Sequence, residues 1–371
     1  MLITTLATAV EASIEQLEVA AFTVPTETPE SDGTARWDST TMTLVELRSG
    51  DCCGMGYTYG DAATATLIDH TLRELVEGAD ALAVTALHER LARRLRNLGR
   101  PGLGSMAIAA IDCAAWDLKA RLLELPLAVL LGKVRDAVPV YGSGGFTSYS
   151  LDQLADQLAG WATEGMARVK MKVGRDPERD IERVSVAREA IGNEVELFVD
   201  ANGALSRKQA LWFAGAYRDF DVRWFEERVS SDDLEGLRFV RDNGPAGMDI
   251  AAGEYGYTLP YFERMLSACA VDCLQADATR CEGITGFLAV DALCRARSLE
   301  LSAHTAPSLH AHVCCALHSV RHVEYFFDHI RIERLLFDGV LEPENDRLVP
   351  DLTRPGNGLE LKRKEAEQYA A

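Results

Sequence analysis

The spacing of apolar positions changes character near residue 138 and divides the chain there. Before it, the run Thr41 to Arg48 (TMTLVELR) reads as a strand closed by a turn at Ser49-Gly50-Asp51. Residues 23–40, rich in Pro, Thr, Ser, Asp and Gly, predict a long loop, and long loops of this kind often serve as lids. Residues 63–99 and 104–125 carry apolar positions three and four apart, as in Ile108, Ile111, Ala115, Leu118 and Leu122, and predict helices. After Val138, eight short strand-like runs (VPVYG, RVKMKVG, ELFVDAN, RWFEER, DIAAGE, CLQADAT, LSAH, HVEYF) alternate with amphipathic helices. Several of these helices open on an N-cap, such as Ser206 and Ser231. Eight strands separated by helices predict a parallel β/α barrel following an α+β unit. The alternation stops near residue 330, so the tail is expected to return to the first unit.

Composition adds limits. At 371 residues, 47% hydrophobic and 26% charged, the chain has the make-up of an ordinary globular protein of two domains. A net charge of −19 excludes a nucleic-acid partner, which needs clustered Lys and Arg, but not an anionic substrate, because a bound dication and inward lysines set the field of a pocket. Nine cysteines, mostly in apolar runs (Cys113, Cys269, Cys273, Cys314, Cys315) and without a Cys-x-x-Cys pair, predict buried free thiols and a cytoplasmic protein. The start MLITTLATAVEASI carries Glu11, is followed by Glu15 and has no Lys or Arg before Arg36, unlike a signal peptide. No run approaches the roughly 18 apolar residues of a membrane span.

Chemistry enters with the charged residues at the strand ends. A β/α barrel carries its active site at the C-terminal ends of its strands, and these ends read Lys172, Asp200, Glu226, Glu254, Asp277, His304 and Glu324. Successive separations of 28, 26, 28, 23, 27 and 20 residues give each its own strand. Most Asp and Glu are solvated or cap helices, but three carboxylates on consecutive strands, each after an apolar run, would repel one another unless a cation sat between them. All-oxygen ligation suits Mg²⁺ better than zinc, so Asp200, Glu226 and Glu254 are the expected metal ligands.

Lys170 and Lys172 lie two apart on one strand and both point into the barrel. There one ammonium, aided by the metal, would lower the pKa of the other toward operating pH. Asp277 and His304, on neighbouring strand ends, form an expected general acid/base pair, the carboxylate orienting the imidazole. His310 and His312 lack a partner carboxylate or Cys and predict a helix or loop position near the barrel mouth. Gly142-Ser143-Gly144-Gly145 is either a turn or a close approach of backbone to substrate.

These motifs make the chain resemble the mandelate racemase and muconate lactonizing enzyme branch of the enolase superfamily along nearly its whole length. The helix AIAAIDCAAWDLKARLLELPLAVLLG (107–132) is similar to the family's N-terminal signature. The barrel supplies VKMKVG (169–174), DAN (200–202), FEER (225–228), AAGE (251–254), DATRCEGIT (277–285) and a final His and Glu. The resemblance implies an α/β fold: a modified (β/α)7β barrel with an α+β capping domain built from both termini. The expected limits are 1–132 for the N-terminal capping domain, 133–328 for the barrel and 329–371 for the segment packing back on the cap. It also implies Mg²⁺ on Asp200, Glu226 and Glu254, Lys172 as the base on one face of the substrate, and His304 with Asp277 on the other. Glu324 and Lys170 fall to catalysis and substrate binding, and Asn202 to substrate binding. The His–Asp pair points to the mandelate racemase subgroup. One departure is Arg228, where the family motif ends in proline; it could reach an anionic substrate or the surface.

The activity expected is abstraction of the proton α to a carboxylate through an enediolate, with Glu324, if protonated, adding a hydrogen bond. Loss of a β-hydroxyl then dehydrates an acid sugar to a 2-keto-3-deoxy acid. Reprotonation on the other face would instead make a racemase or epimerase of a 2-hydroxy acid, and a sugar-acid-binding protein without turnover is a remote third reading. Expected partners are a small hydroxy acid or acid sugar and further copies of the chain, from dimer to octamer, with no nucleic acid or membrane.

Overall fold

The computed structural model describes residues 12–344 and 346–371; the N-terminal stretch read above, up to Glu11, lies outside the described residues. The first unit is built on an antiparallel meander of β1 (Gln16–Ser31), β2 (Arg36–Ser49) and β3 (Cys52–Tyr59). The helix Leu103–Leu122 lies across it, buried for most of its length, because its contact face is small. Gly54 and Gly56 of β3 let the backbones meet: a Cβ on Gly56 would come 2.3 Å from the Ala114 nitrogen, and one on Gly54 2.3 Å from that of Leu118.

The second unit is the barrel. Strands β4 (Val138–Gly144), β5 (Arg168–Lys172), β6 (Glu196–Asp200), β7 (Val222–Glu226), β8 (Asp249–Ala252), β9 (Cys273–Ala276), β10 (Glu300–Ala303) and β11 (Val320–Phe326) pair in parallel, and β11 closes on β4. Each successive pair is joined by a helix, which makes the (β/α)7β barrel, and Arg347–Leu348 adds a short antiparallel strand outside β4. Tyr141, Phe198, Trp224, Ala251 and Cys273 fill the interior with an apolar floor, the Phe198 and Trp224 rings stacked 5.3 Å apart. The tail returns to the cap: Phe337–Asp338 pairs with Glu360–Leu361, the Asn357 amide donates to Asp117 Oδ1 at 2.6 Å, and the Ala371 amide donates to the Ala21 carbonyl. No helix among the described residues is long and apolar enough to cross a membrane.

Several local expectations are corrected. Residues 23–40 are mainly the outer half of the β1–β2 hairpin, which turns only at residues 32–35; a register shift between Pro25 and Glu30 absorbs the prolines that made the segment look like a loop. The helical stretch 63–99 breaks after Val76, where Gly78 takes φ +81° and residues 78–81 pair with Ala12 to Ile14; the helix restarts at Val84. Asp233, not Ser231, caps the helix Leu234–Asn243, its Oδ1 accepting the Gly236 amide. Ser206 caps its helix as expected, in a capping box with Gln209. All nine cysteines are free, but Cys269 is exposed rather than buried, lying in the turn after a helix.

Cap and barrel are also joined by a helix cap supplied from the other unit. Asp112, in the helix Leu103–Leu122, accepts the Thr285 amide (2.9 Å) and the Thr285 hydroxyl (2.6 Å), and so caps the start of the barrel helix Gly283–Ala296. Burial pushes the Asp112 carboxyl up to about 7, against the hydrogen bonds from Thr285. A carboxyl raised in the folded state favours folding at low pH, so its contribution is lost as pH rises from 3.8 through about 7. Asp112→Ala should lower the unfolding free energy by about 2 kcal/mol, and Asp112→Asn should flatten the fall in stability over that pH range. Urea melts from pH 4 to 8 with unchanged midpoints in both variants would remove this cap from the account.

Candidate active site

The strand ends bring the ladder together. Parallel register sets Lys172 beside Asp200 and Asp200 beside Glu226, and Glu254 follows β8 by two residues. One carboxylate oxygen each from Asp200, Glu226 and Glu254 lies within 4.8 Å of the others, all three side chains buried. Lys172 Nζ donates to Asp200 Oδ2 at 2.5 Å. Lys170, fully buried one layer deeper, reaches Glu226 Oε1, Glu324 Oε1 (2.8 Å) and Asp200 Oδ2 (3.5 Å). Glu254 Oε2 accepts no hydrogen bond although it is buried. A buried carboxylate oxygen without a hydrogen bond beside two more carboxylates is costly, and an all-oxygen donor set fits a hard dication such as Mg²⁺.

Electrostatics follow from this crowding. Burial, and then the charge of Asp200, push the Glu226 carboxyl well up. Burial would do the same to Asp200, but Lys172 and Lys170 hold it below its ordinary value. The protein groups alone shift the pKa of Lys172 upward, where the fall expected above has the metal's aid. Burial pulls it down and Lys170 adds to that, but Asp200, with Glu254 and Glu324 behind it, outweighs both and raises it. The expected fall presupposes a cation drawing off the charge of Asp200. Glu324 likewise differs from the protonated form envisaged: burial raises it, but Lys170, His304 and Lys172 hold it well below the usual carboxylate range.

Across the barrel, His304 Nδ1 meets Asp277 Oδ2 at 2.9 Å. Its Nε2 turns inward, 3.3 Å from Glu254 Oε2 and 3.6 Å from Glu324 Oε2. Burial raises the Asp277 carboxyl, but the hydrogen bond and charge of His304 hold it well below its usual value. Glu324 is fixed by the Ser143 hydroxyl (2.6 Å) and the Thr305 amide (3.2 Å), which gives the Gly-rich strand end a definite contact. Asn202 lies at the seam: its amide donates to Asp200 Oδ1, its carbonyl accepts from Thr34 Oγ1 of the hairpin turn, and its side-chain oxygen has no partner.

Above these groups is a cavity of about 350 Å³ between the hairpin and the barrel mouth, with Lys172 and His304 both on its wall. The turn is already docked: Thr147 Oγ1 donates to the Asp32 carbonyl, and a Cβ on Gly33 would meet the Ala201 carbonyl at 2.2 Å. Arg228 reaches neither substrate nor surface. It is fully buried, its Nη2 donating to the Leu237 carbonyl, and burial pulls its pKa down to about 9 against the pull of Glu227.

Residues 16–132 match the family described as "Mandelate racemase / muconate lactonizing enzyme, N-terminal domain", and residues 153–366 match "Enolase C-terminal domain-like". The chain belongs to the mandelate racemase subgroup of the enolase superfamily. A 3,6-anhydro-alpha-L-galactonate cycloisomerase of Streptomyces coelicolor is 34% identical, covering 94% of this chain and 97% of its own. A mandelate racemase/muconate lactonizing enzyme-like protein from Rubrobacter xylanophilus superposes with a TM-score of 0.95 at 59% identity, covering 97% of this chain and 100% of its own. The L-talarate/galactarate dehydratase of Salmonella typhimurium is 32% identical over 90% of this chain and 86% of its own length. Its structure liganded with Mg and L-lyxarohydroxamate has a TM-score of 0.89, covering 98% of this chain and 95% of that one. Chains of the subgroup are thus named as acid-sugar dehydratases and as cycloisomerases.

In this subgroup member Arg280 was not singled out from the sequence, and His310, placed there on a helix or loop near the barrel mouth, was given no role. Arg280, within the DATRCEGIT motif, donates to the Glu254 carbonyl at 3.2 Å and lies 3.7 Å from Asp277 Oδ2. His310, in the helix Pro307–Ala316, accepts the Ala278 amide on Nε2 (2.9 Å) and pairs through Nδ1 with the Thr305 carbonyl (2.7 Å). It ties together the loops that carry Asp277 and His304, and burial keeps it neutral by lowering its pKa. No local motif marks it, because both partners are backbone groups. His310→Ala should cost about 2 kcal/mol of stability, while His310→Gln, which can still accept and donate, should recover more than half of that loss. Equal stability of all three proteins in a denaturant melt would exclude the tie.

Proposed function

We propose that this protein abstracts the proton α to the carboxylate of an acid sugar and expels the β-hydroxyl, giving a 2-keto-3-deoxy acid. The observation that carries the reading is the placement of Lys172 on one side and the His304–Asp277 pair on the other side of three converged carboxylates. Asp200, Glu226 and Glu254 would hold Mg²⁺, which when bound offsets the charge that develops on the substrate carboxylate. Lys172 takes the α-proton in its neutral form. Lys170 and the Ser143 hydroxyl hold Glu324 at the enediolate end. His304, kept in orientation by Asp277, carries a proton to the departing hydroxyl, and the docked hairpin turn excludes water from the charged centre.

Two related outcomes use the same first step. A ring ether oxygen on the β-carbon leaves as a hydroxyl does, and ring opening is then an isomerisation rather than a dehydration; similarity to a cycloisomerase over 94% of the chain supports this reading. A substrate without a leaving group would be reprotonated by the residue on the opposite face, giving a racemase.

Substrate in D₂O with Mg²⁺ separates the two faces. For an acid presenting its proton to Lys172, Lys172→Ala should stop both solvent exchange and turnover, with losses of at least about a thousandfold. His304→Asn should leave exchange and block product. Acids of the opposite α-configuration should reverse the pattern. Normal exchange and turnover in both variants would overturn the assignment of bases.

A further inference from the structure

The wall of the cavity that faces the reacting carboxylates is a part of the site with no assigned chemistry. It is formed by β2 and the end of β3 from the cap, and by the start of the helix Phe327–Leu336. We propose that the substrate's far end is an uncharged hydroxyl end, so that the protein acts on monocarboxylic sugar acids (aldonates) rather than on dicarboxylic ones (aldarates). The inference rests on the acid-sugar reading above and narrows it.

Charge decides the matter. Among the described residues the cavity wall carries two permanent cations, Lys172 and Arg280, and both are committed at the reacting end. Lys172 is bound to Asp200, and Arg280 to the Glu254 carbonyl with Asp277 beside it. Residues 1–11 and Asn345, outside the described residues, contain no lysine or arginine. The far wall presents acids instead. Asp328 accepts the Thr40 hydroxyl on Oδ2 (2.5 Å) and the Arg331 guanidinium on Oδ1 (2.6 Å), so the nearby arginine is spent on a protein carboxylate. Asp32 is held by the Thr34 and Ala35 amides of the turn. A second substrate carboxylate would be desolvated against these acids with no counter-charge, which the physics of enclosed anions disfavours.

The rest of this wall carries no charge. Tyr59 and His329 line it, 5% and 6% exposed, with the Tyr59 hydroxyl and His329 Nδ1 turned away from accessible surface. The two rings stack with centroids 3.5 Å apart, and burial keeps the imidazole neutral. The wall that this phenol and neutral imidazole present is uncharged, and neither ring compensates a carboxylate charge. The Thr40 and Thr41 side chains on the same wall extend the neutral polar surface.

The test pairs each aldonate with the aldarate of the same configuration at the shared carbons, for example galactonate with galactarate and gluconate with glucarate. With the full chain and Mg²⁺, α-hydrogen exchange in D₂O, 2-keto acid formation and calorimetric binding are measured for every pair. The best aldonate should exceed its matched aldarate by at least about tenfold in kcat/KM, or in affinity if turnover is undetectable. A smaller ratio overturns the inference, while exchange by the aldarates leaves the acid-sugar reading standing. Absence of exchange and binding with every acid removes that reading, and the inference with it. Asp328→Asn frees Arg331 and should narrow the ratio by raising the aldarate; if this variant folds and the ratio is unchanged, the role given to the far wall fails. The wild-type comparison decides the question even if the variant does not fold.

Discussion

Three carboxylates held within a few ångströms in a buried barrel mouth impose the constraint to which the rest of the site responds. Each like charge raises the free energy of the others, and burial removes the water that would screen them. Two lysines on β5 compensate in part, Lys172 at Asp200 and Lys170 at Glu226 and Glu324. Glu254 Oε2 accepts no hydrogen bond and has only His304 Nε2 near it, at 3.3 Å. The fold tolerates this because the apolar floor of Tyr141, Phe198 and Trp224 and the closed ring of strands fix the backbone beneath. Energy stored as unbalanced charge in the site is recovered when a cation binds, which is how a stable barrel can keep a strongly polar mouth.

The two units divide the labour. The barrel sets the charged groups, and the cap supplies the roof and the far wall. Their relative position is fixed by contacts that cross between them: Asp112 on the helix start at Gly283, the Thr147 hydroxyl on the hairpin turn, and the tail at Asn357 on Asp117. With the hairpin turn seated on the barrel through Gly33 and Thr34, the cavity is bounded on both sides. Specificity can therefore change through β2, Tyr59 and the start of the last helix without disturbing the ladder. That separation suits a subgroup whose members are named both as dehydratases and as cycloisomerases.

The ladder was legible in the sequence because one residue per βα unit produces a regular spacing that only a barrel explains, and because apolar runs end at each charged position. The hairpin was not, since Pro25 and Pro29 look like loop residues until the register shift that accommodates them is seen. The break after Val76 was signalled by Gly78 and Asp80, but helical periodicity on both sides hid it. Arg228 defied both readings offered for it because burial of an arginine against a carbonyl has no pattern in one dimension. His310 and Asp112 act on backbone groups distant in sequence, contacts that only the folded chain reveals. The charge state of Lys172 depends on Asp200, which holds it protonated unless a cation competes, and that balance has no pattern in one dimension.

Everything in the site turns on whether Asp200, Glu226 and Glu254 act together as one cation site. Calorimetric titration of Mg²⁺ into the chelator-treated protein, repeated for Glu254→Gln, tests it directly. The wild type should show a single stoichiometric site, accompanied by a rise in melting temperature, and the variant should lose both. A wild type that binds no Mg²⁺, or a variant that binds it as tightly as the wild type, would contradict it.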